Sequence, residues 1–300
     1  MKNMDIMYRP PYEAQSLLLL ATSGCSHNAC RFCTMYKNVP FEVAPLDLIE
    51  KQLIYAAEYQ PHKTRAFLEN GDAFTLDAAY LLEIAKLIHR YMPSIGVISM
   101  YAQIQNIMTK TDEDLRKLAA AGIGELNIGL ESGVDDVLAY LRKGYTAAEA
   151  EHALMRLHDA GIPFSVNVIF GAAGAGRGTE HGEATARFLN KVQPYLIFTG
   201  TIHPAEGCDM FEDMRAGRFI EPVFEEYIAE EERFLETLAM RDAEYFGIHP
   251  ANILQLHGQL PADKEKLLCK LRKERAEADP ALLSKLPERI GLEGMIFNWN

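Results

Sequence analysis

Three of the five cysteines, Cys25, Cys30 and Cys33, fall within nine residues in the stretch Gly24-Cys-Ser-His-Asn-Ala-Cys-Arg-Phe-Cys. Three thiolates on one short loop can point at a common centre, and soft sulfur ligands select iron–sulfur clusters, zinc or monovalent copper over hard cations. A structural zinc site or an electron-transfer [4Fe–4S] cluster takes four protein ligands, so three cysteines leave an open iron or a missing partner. His27, inside the same loop, is the residue that would complete a Cys3His zinc site. Cys208 and Cys269 stand alone and read as ordinary thiols, and no second C-x-x-C pair exists to hold an auxiliary cluster.

The elements around this loop follow from the hydrophobic pattern. Short apolar runs alternate with longer helical patterns, the signature of repeated βα units around a parallel sheet. Six strands are predicted, at 17–21, 65–69, 96–101, 125–129, 164–170 and 195–201, with helices at 46–59, 76–91, 112–121, 147–160 and 178–192. Thr111-Asp-Glu-Asp supplies an N-cap and acids at a helix start, and Gly122 and Gly161 stand just past helix ends. Parallel α/β folds place their sites at the C-terminal ends of the strands. The cysteine loop follows the first strand there. Asn70-Gly-Asp72, Glu131-Ser-Gly133 and Gly171-Ala-Ala-Gly174 follow the second, fourth and fifth. After the sixth strand the pattern changes to charged helices at 221–241 and 262–277, a His/Asn/Gly/Pro loop between them and an irregular tail. This is a small C-terminal helical appendage over 211–300, its charged helices read as solvated faces.

Composition narrows the classes. With 300 residues, 48% of them hydrophobic and 24% charged, the chain is an ordinary globular one. Its net charge of −12 is the wrong sign for a general nucleic-acid binder or a polybasic membrane-surface protein. No apolar run approaches the roughly 18 residues of a membrane span, and no secretory segment is evident, so a cytoplasmic protein with reduced thiols is expected.

Asn127-Ile-Gly-Leu-Glu-Ser-Gly-Val-Asp-Asp-Val-Leu, followed by Leu141-Arg-Lys-Gly and lying downstream of the three-cysteine loop, resembles the radical S-adenosylmethionine (SAM) superfamily. Within it the sequence is most similar to the branch that includes tRNA methylthiotransferases, the Elongator catalytic subunit and oxygen-independent coproporphyrinogen oxidase, over residues 17–210. The resemblance implies an α/β fold, a partial (β/α)6 TIM-like barrel, with residues 1–210 as the core. It implies that Cys25, Cys30 and Cys33 ligate three irons of a [4Fe–4S] cluster and that SAM chelates the fourth. By position in the family pattern, Glu131 with Ser132 beside it meets the SAM ribose, and Arg142 the methionine carboxylate. Asn70, Gly71 and Asp72 stand where a glycine-rich segment binds the methionine amino group, Asp72 replacing the Glu of many relatives. Phe170 and Gly171 would lie along adenine, as would Phe32. An acidic residue often found a few positions after Gly171 is absent, as Gly174-Ala175 shows. The family loop has three residues between its first two cysteines, and this one has four, Ser26 to Ala29.

The implied chemistry is reductive cleavage of SAM to a 5′-deoxyadenosyl radical that abstracts hydrogen from a small metabolite or short peptide, with electrons from a flavodoxin or ferredoxin. Tyr101, Gln103 and His203 are the candidate catalytic residues at the same strand ends, with Asn167 and Glu206 as further substrate contacts, and 249–263 is a candidate lid. The lack of auxiliary cysteines argues against sulfur insertion, methylthiolation and peptide modification by extra clusters; the length argues against a cobalamin domain. Coproporphyrinogen oxidation is not favoured, and acidity disfavours a nucleic-acid substrate such as tRNA. Two readings compete: a zinc or iron–sulfur binding protein without turnover, and a barrel hydrolase or lyase using Asp72, Glu131 and His203.

Overall fold

Leu17–Leu20 (β1) is four leucines with no polar alternation, and it forms a strand with little solvent on either face. The computed structural model, which describes residues 8–287 and the backbone of 289–290 and 295–296, continues this theme through two compact units. The first unit holds the chain up to Asn28, Met35–Gly129 and His152–Phe164. In it α1 (Leu46–Tyr59) leads to β2 (Arg65–Glu69), α2 (Ala78–Tyr91) to β3 (Val97–Ala102), and α3 (Asp112–Ala120) to β4 (Ile123–Glu131). The strands lie in the order β1-β2-β3-β4, every pair parallel.

The helices begin where their caps dictate. The Asp77 carboxylate accepts the Tyr80 N–H at 2.7 Å to start α2, whose Leu81, Ile84, Ala85 and Ile88 recur with the helical period and are buried. Thr111 and Asp114 form a reciprocal capping box on α3. Gly122 closes that helix at φ +85°, a conformation that residues with a Cβ rarely adopt. At the other ends of the strands Glu13, fully buried, accepts from Ser99 Oγ at 2.7 Å and pairs with Arg65 at 3.0 Å, while Arg65 also grips Glu125. A buried acid with three donors around it, the Ser16 hydroxyl being the third, fixes the foot of this unit.

The second unit holds Ala29–Thr34, Leu130–Glu151 and everything from Ser165. Helix α4 (Ala147–Ala160) and strand β4 each run from one unit into the other, as does β5 (Phe164–Phe170). Then come α5 (Gly178–Val192), β6 (Leu196–Thr201), α6 (Phe224–Thr237), β7 (Ala243–Phe246), β8 (His257–Leu260) and α7 (Lys264–Glu277). β5, β6 and β7 pair in parallel, and β8 turns back antiparallel on β7. Arg289–Ile290 pairs with Met295–Ile296.

The architecture is the expected α/β one with mostly parallel strands; the six predicted strands and five helices are present within two residues at every boundary. The C-terminal extension differs from the helical appendage expected, because it contributes strands β7 and β8. Each has four residues, and β8 contains Gly258, so neither is long enough for apolar alternation to show in sequence. Its charged helices also differ from solvated faces: Arg272 and Arg275 of α7 reach Glu232 of α6, Arg272 also taking Glu236 and Arg275 Glu225. Asn252, within the segment expected as a lid, is buried and donates to Thr199 O at 2.9 Å and Gly247 O at 2.7 Å while accepting the Thr201 N–H at 3.0 Å. It clamps that segment onto the end of β6. Among the described residues no helix is long and apolar enough to cross a membrane.

Candidate functional site

In the first unit the strand ends gather Cys25, Asn70, Gly71, Asp72 and Gln103. Asp72 is fully buried and accepts the Ser26 N–H at 2.9 Å, the Ser26 hydroxyl and the Gln103 Nε2 donor at 2.6 Å. Burial pushes its carboxyl up, and the hydrogen bonds from Ser26 and Gln103 oppose that. Gln103 also donates to Cys25 Sγ at 3.5 Å, as does the Asn28 N–H at 3.5 Å, so that sulfur already faces two donors. Gly71 explains why a glycine stands here: a Cβ would lie 2.2 Å from Gly24 O and 2.6 Å from Cys25 Cα. The peptide of the second strand end is pressed directly against the cysteine loop. Asn70 takes φ +70°, rare for a residue with a side chain, and is held by its own Nδ2 on Thr22 O at 3.0 Å.

Tyr101 lies on β3 with its ring edge-on to Phe67, centroids 5.3 Å apart. Burial, with Tyr12, Tyr36 and Glu13 nearby, drives its hydroxyl well above the usual tyrosine range. Glu69, on the same face of β2 as Phe67 and Arg65, is a residue the sequence did not single out. It is buried, its Oε1 has no hydrogen-bond partner, and burial holds its carboxyl up to about 7 against the attraction of Arg9.

In the second unit Cys30, Phe32 and Cys33 are half-buried on a turn pinned by the residue between them. Arg31 N–H donates to Leu141 O at 3.0 Å, its Nε to Tyr140 O at 2.9 Å, and its guanidinium pairs with Asp213. Glu131 ends β4 at φ +68°, a strained conformation for glutamate that the fold nevertheless imposes. Its Oε1 pairs with Lys143 at 3.2 Å, and its Oε2 is buried with no partner. Lys143 keeps its proton: burial works against the charge, but Glu131, Tyr145 and Cys30 outweigh it. Ser132 is fully buried on His181 Nε2 at 2.8 Å, and His181 Nδ1 faces Glu230 Oε1 at 2.6 Å. Gly171 donates its N–H to Glu230 Oε2 at 2.9 Å.

The remaining expected residues vary in exposure and partner. Arg142 is exposed, takes φ +58° and pairs with Asp209, so the inward-facing base of the Arg-Lys pair is Lys143. The left-handed turn at Arg142 decides this, and sequence alone does not reveal which neighbour it turns inward. The Phe170 ring packs edge-on against Phe234 at 5.3 Å in the core. His203 is half-buried two residues past β6, Asn167 is half-buried on β5, and Glu206 is exposed. Lys143 lies inside the Leu141-Arg-Lys-Gly stretch without having been singled out, and His181 and Glu230 carried no motif; what marks all three is burial of a charged or polar side chain with a polar partner.

With this geometry in hand, comparison with known proteins is decisive. The model of the radical SAM superfamily matches residues 19–189. The chain belongs to the radical SAM superfamily. Heme chaperone HemW of Bacillus subtilis (strain 168) is 24% identical over 237 residues, covering 76% of this chain and 60% of that protein. The tRNA-2-methylthio-N(6)-dimethylallyladenosine synthase of Hahella chejuensis (strain KCTC 2396) is 23% identical over 198 residues, 64% of this chain and 44% of that one. The solved structure of N-terminally truncated Elp3 from the archaeon Methanocaldococcus infernus superposes with a TM-score of 0.53 at 12% identity, over 88% of this chain and 64% of that chain. The radical SAM chain thus spans less than two thirds of either curated relative.

Membership brings a [4Fe–4S] cluster and SAM as cofactors. The residues present fit both groups. None of the three loop thiols is in a disulfide and all are half-buried, with N–H donors already directed at Cys25. Among the described residues no three His, Cys, Asp or Glu side chains converge as one bare ion would need; thiols that each take a different iron of a cluster need not converge so closely. The orphan Oε2 of Glu131 is an acceptor awaiting a donor, as a ribose hydroxyl is.

Proposed function

We propose that the chain is a radical SAM enzyme that removes a hydrogen atom from a small metabolite or short peptide. What carries this reading is the three-thiol loop, lying inside the stretch that matches the family and hydrogen-bonded at Cys25. Cys25, Cys30 and Cys33 would each hold one iron and leave the fourth to SAM. When bound, the cluster and SAM together supply a one-electron cleavage that yields methionine and a 5′-deoxyadenosyl radical.

The chain's own residues bind and orient. Asp72 and Gln103 hold the cysteine loop, and the main chain at Asn70–Gly71 would take the methionine amino group. Glu131 takes the ribose hydroxyls through its open oxygen, Lys143 neutralises Glu131 and holds its proton there, and Phe32 with the Gly171 main chain borders adenine. Tyr101 and His203 are proposed on the substrate side, with residues 1–210 carrying the chemistry and 211–300 supporting it. Electrons would come from a flavodoxin or ferredoxin in the cytoplasm.

The test is made on protein reconstituted without oxygen. SAM and dithionite should give 5′-deoxyadenosine in proportion to about four irons per chain. A colourless protein carrying zinc and releasing no 5′-deoxyadenosine would overturn the reading in favour of a structural metal site.

A further inference from the structure

We propose that His181 and Glu230 are positioning residues for the SAM site, through which helix α6 of the C-terminal extension sets the main chain at Glu131-Ser132 and at Gly171. The inference rests on the reading of Glu131 and Gly171 as SAM contacts. Its basis is a chain of buried hydrogen bonds within the second unit. Glu230 is fully buried and divides its two oxygens, Oε1 to His181 Nδ1 at 2.6 Å and Oε2 to the Gly171 N–H at 2.9 Å. His181 Nε2 lies 2.8 Å from Ser132 Oγ, which in turn accepts the Val134 N–H at 3.0 Å.

One assignment of protons satisfies every partner. The carboxylate accepts from His181 Nδ1–H and from Gly171 N–H, and the unprotonated Nε2 accepts the Ser132 hydroxyl proton. Ser132 and His181 are too deeply buried for Ser132 to meet a substrate as a nucleophile, at 0% and 2% exposure. A serine, histidine and carboxylate in this order therefore act here as a brace. Both ends of the brace are main chain next to proposed SAM contacts: one end follows Glu131, strained at φ +68°, and the other is Gly171 at φ +81°.

The packing around Glu230 is built for this reach. A Cβ on Gly178 would lie 2.9 Å from Glu230 Oε2, and one on Gly182, a turn later, 2.6 Å from Glu230 O. Two glycines one turn apart on α5 let the backbone of α6 come close enough to deliver a short, fixed carboxylate. Thr185, on the next residues of that helix, accepts the Gly133 N–H at 3.1 Å, so α5 holds the same turn a second time. Neighbouring Glu231 is also buried on α6 but takes no part in this brace; it accepts from the Tyr245 hydroxyl at 2.6 Å. It is the natural control.

The experiment compares Glu230→Ala, Glu230→Gln, Glu231→Ala and Glu131→Ala in the full reconstituted chain, reading iron content, SAM affinity by equilibrium dialysis, the change SAM causes in the electron paramagnetic resonance of the reduced cluster, and 5′-deoxyadenosine formation. Glu230→Ala is expected to keep its iron yet weaken SAM binding about tenfold or more and blunt the spectral change. Glu230→Gln, which retains an acceptor for Gly171, should recover most of the affinity, and Glu231→Ala should leave it at the wild-type value. Should Glu230→Ala fail to fold, His181→Gln and Ser132→Ala carry the same expectation with smaller perturbation. Equal losses in the Glu230 and Glu231 variants, or unchanged SAM affinity in Glu230→Ala, would overturn the inference while Glu131→Ala still loses SAM. Unchanged affinity in Glu131→Ala would overturn the underlying reading and the inference with it.

Discussion

Two strand ends carry an acid each, and they use it in opposite ways. After β2, Asp72 spends both oxygens on the protein, on the Ser26 N–H and hydroxyl and on Gln103. At the end of β4, Glu131 spends one oxygen on Lys143 and leaves the other buried without a partner. A left-handed residue stands two positions before Asp72, Asn70 at φ +70°, and Glu131 is itself left-handed at φ +68°, so both ends store strain. What differs is satisfaction. A buried acceptor left open costs free energy unless a ligand completes it, so Glu131 reads as a ligand contact and Asp72 as scaffold for the cysteine loop.

The largest effect separates that loop from everything else. Alanine at any one of Cys25, Cys30 or Cys33 should abolish 5′-deoxyadenosine formation, with iron lost in parallel. Cys208→Ala and Cys269→Ala should retain it, since Cys208 is buried outside the loop and Cys269 is exposed on α7. Persisting cleavage in a loop variant would remove the reason to treat Asp72 as its scaffold.

Next is the partner of the open acid. Lys143→Met leaves Glu131 as an uncompensated buried charge, and loss of one member of a buried pair costs about 3–5 kcal/mol. Arg142→Ala breaks an exposed pair with Asp209 and should cost at most about 1 kcal/mol. Urea midpoints measure both. Equal shifts would show that the inward base has been misassigned.

A third acid sharpens the contrast through pH. Burial raises Glu69 from its ordinary 4.5 to about 7, so the folded chain holds this proton more tightly than the unfolded one. Its contribution to stability is complete below about pH 4.5 and is lost as pH rises through 7. Glu69→Gln should therefore be more stable than wild type at pH 8, by up to about 3 kcal/mol, with the gap closing towards pH 4. A gap independent of pH would mean that Glu69 stays ionised and has found a donor.

The legibility of these acids in the sequence differed for a physical reason. Strands and helices were readable because unbroken apolar runs such as 17–20 and periodic ones such as Leu81–Ile88 follow from local geometry. The clustering of Cys25, Cys30 and Cys33 and the strand-end positions of Asn70–Asp72 and Glu131 were readable because a strand end and the loop after it are contiguous in the chain. Lys143 was hidden because one left-handed residue, Arg142, decides which of two adjacent bases faces inward. His181 and Glu230 were hidden because their meeting depends on two helices closing over Gly178 and Gly182, a tertiary fact with no local trace. The packing of Phe170 was hidden for a related reason: strand alternation turns its ring to Phe234, a residue of a distant helix.

The smallest effect bears on the comparison itself. Asp72→Asn keeps the shape but gives up the charge that holds Ser26 and Gln103, and turns one acceptor into a donor facing donors. Its expected consequence is a loop that loads iron poorly, with SAM affinity per loaded cluster unchanged. Glu131→Gln keeps an acceptor for Lys143 but replaces the open oxygen's charge with an amide. It should load iron fully and weaken SAM by about tenfold, the worth of one charge-assisted hydrogen bond. The two variants thus separate along different axes, iron per chain for one and SAM affinity for the other. If both moved along the same axis, the satisfied acid and the open acid would be doing one job, and the orphan oxygen of Glu131 would be a feature of packing rather than a place for a ligand.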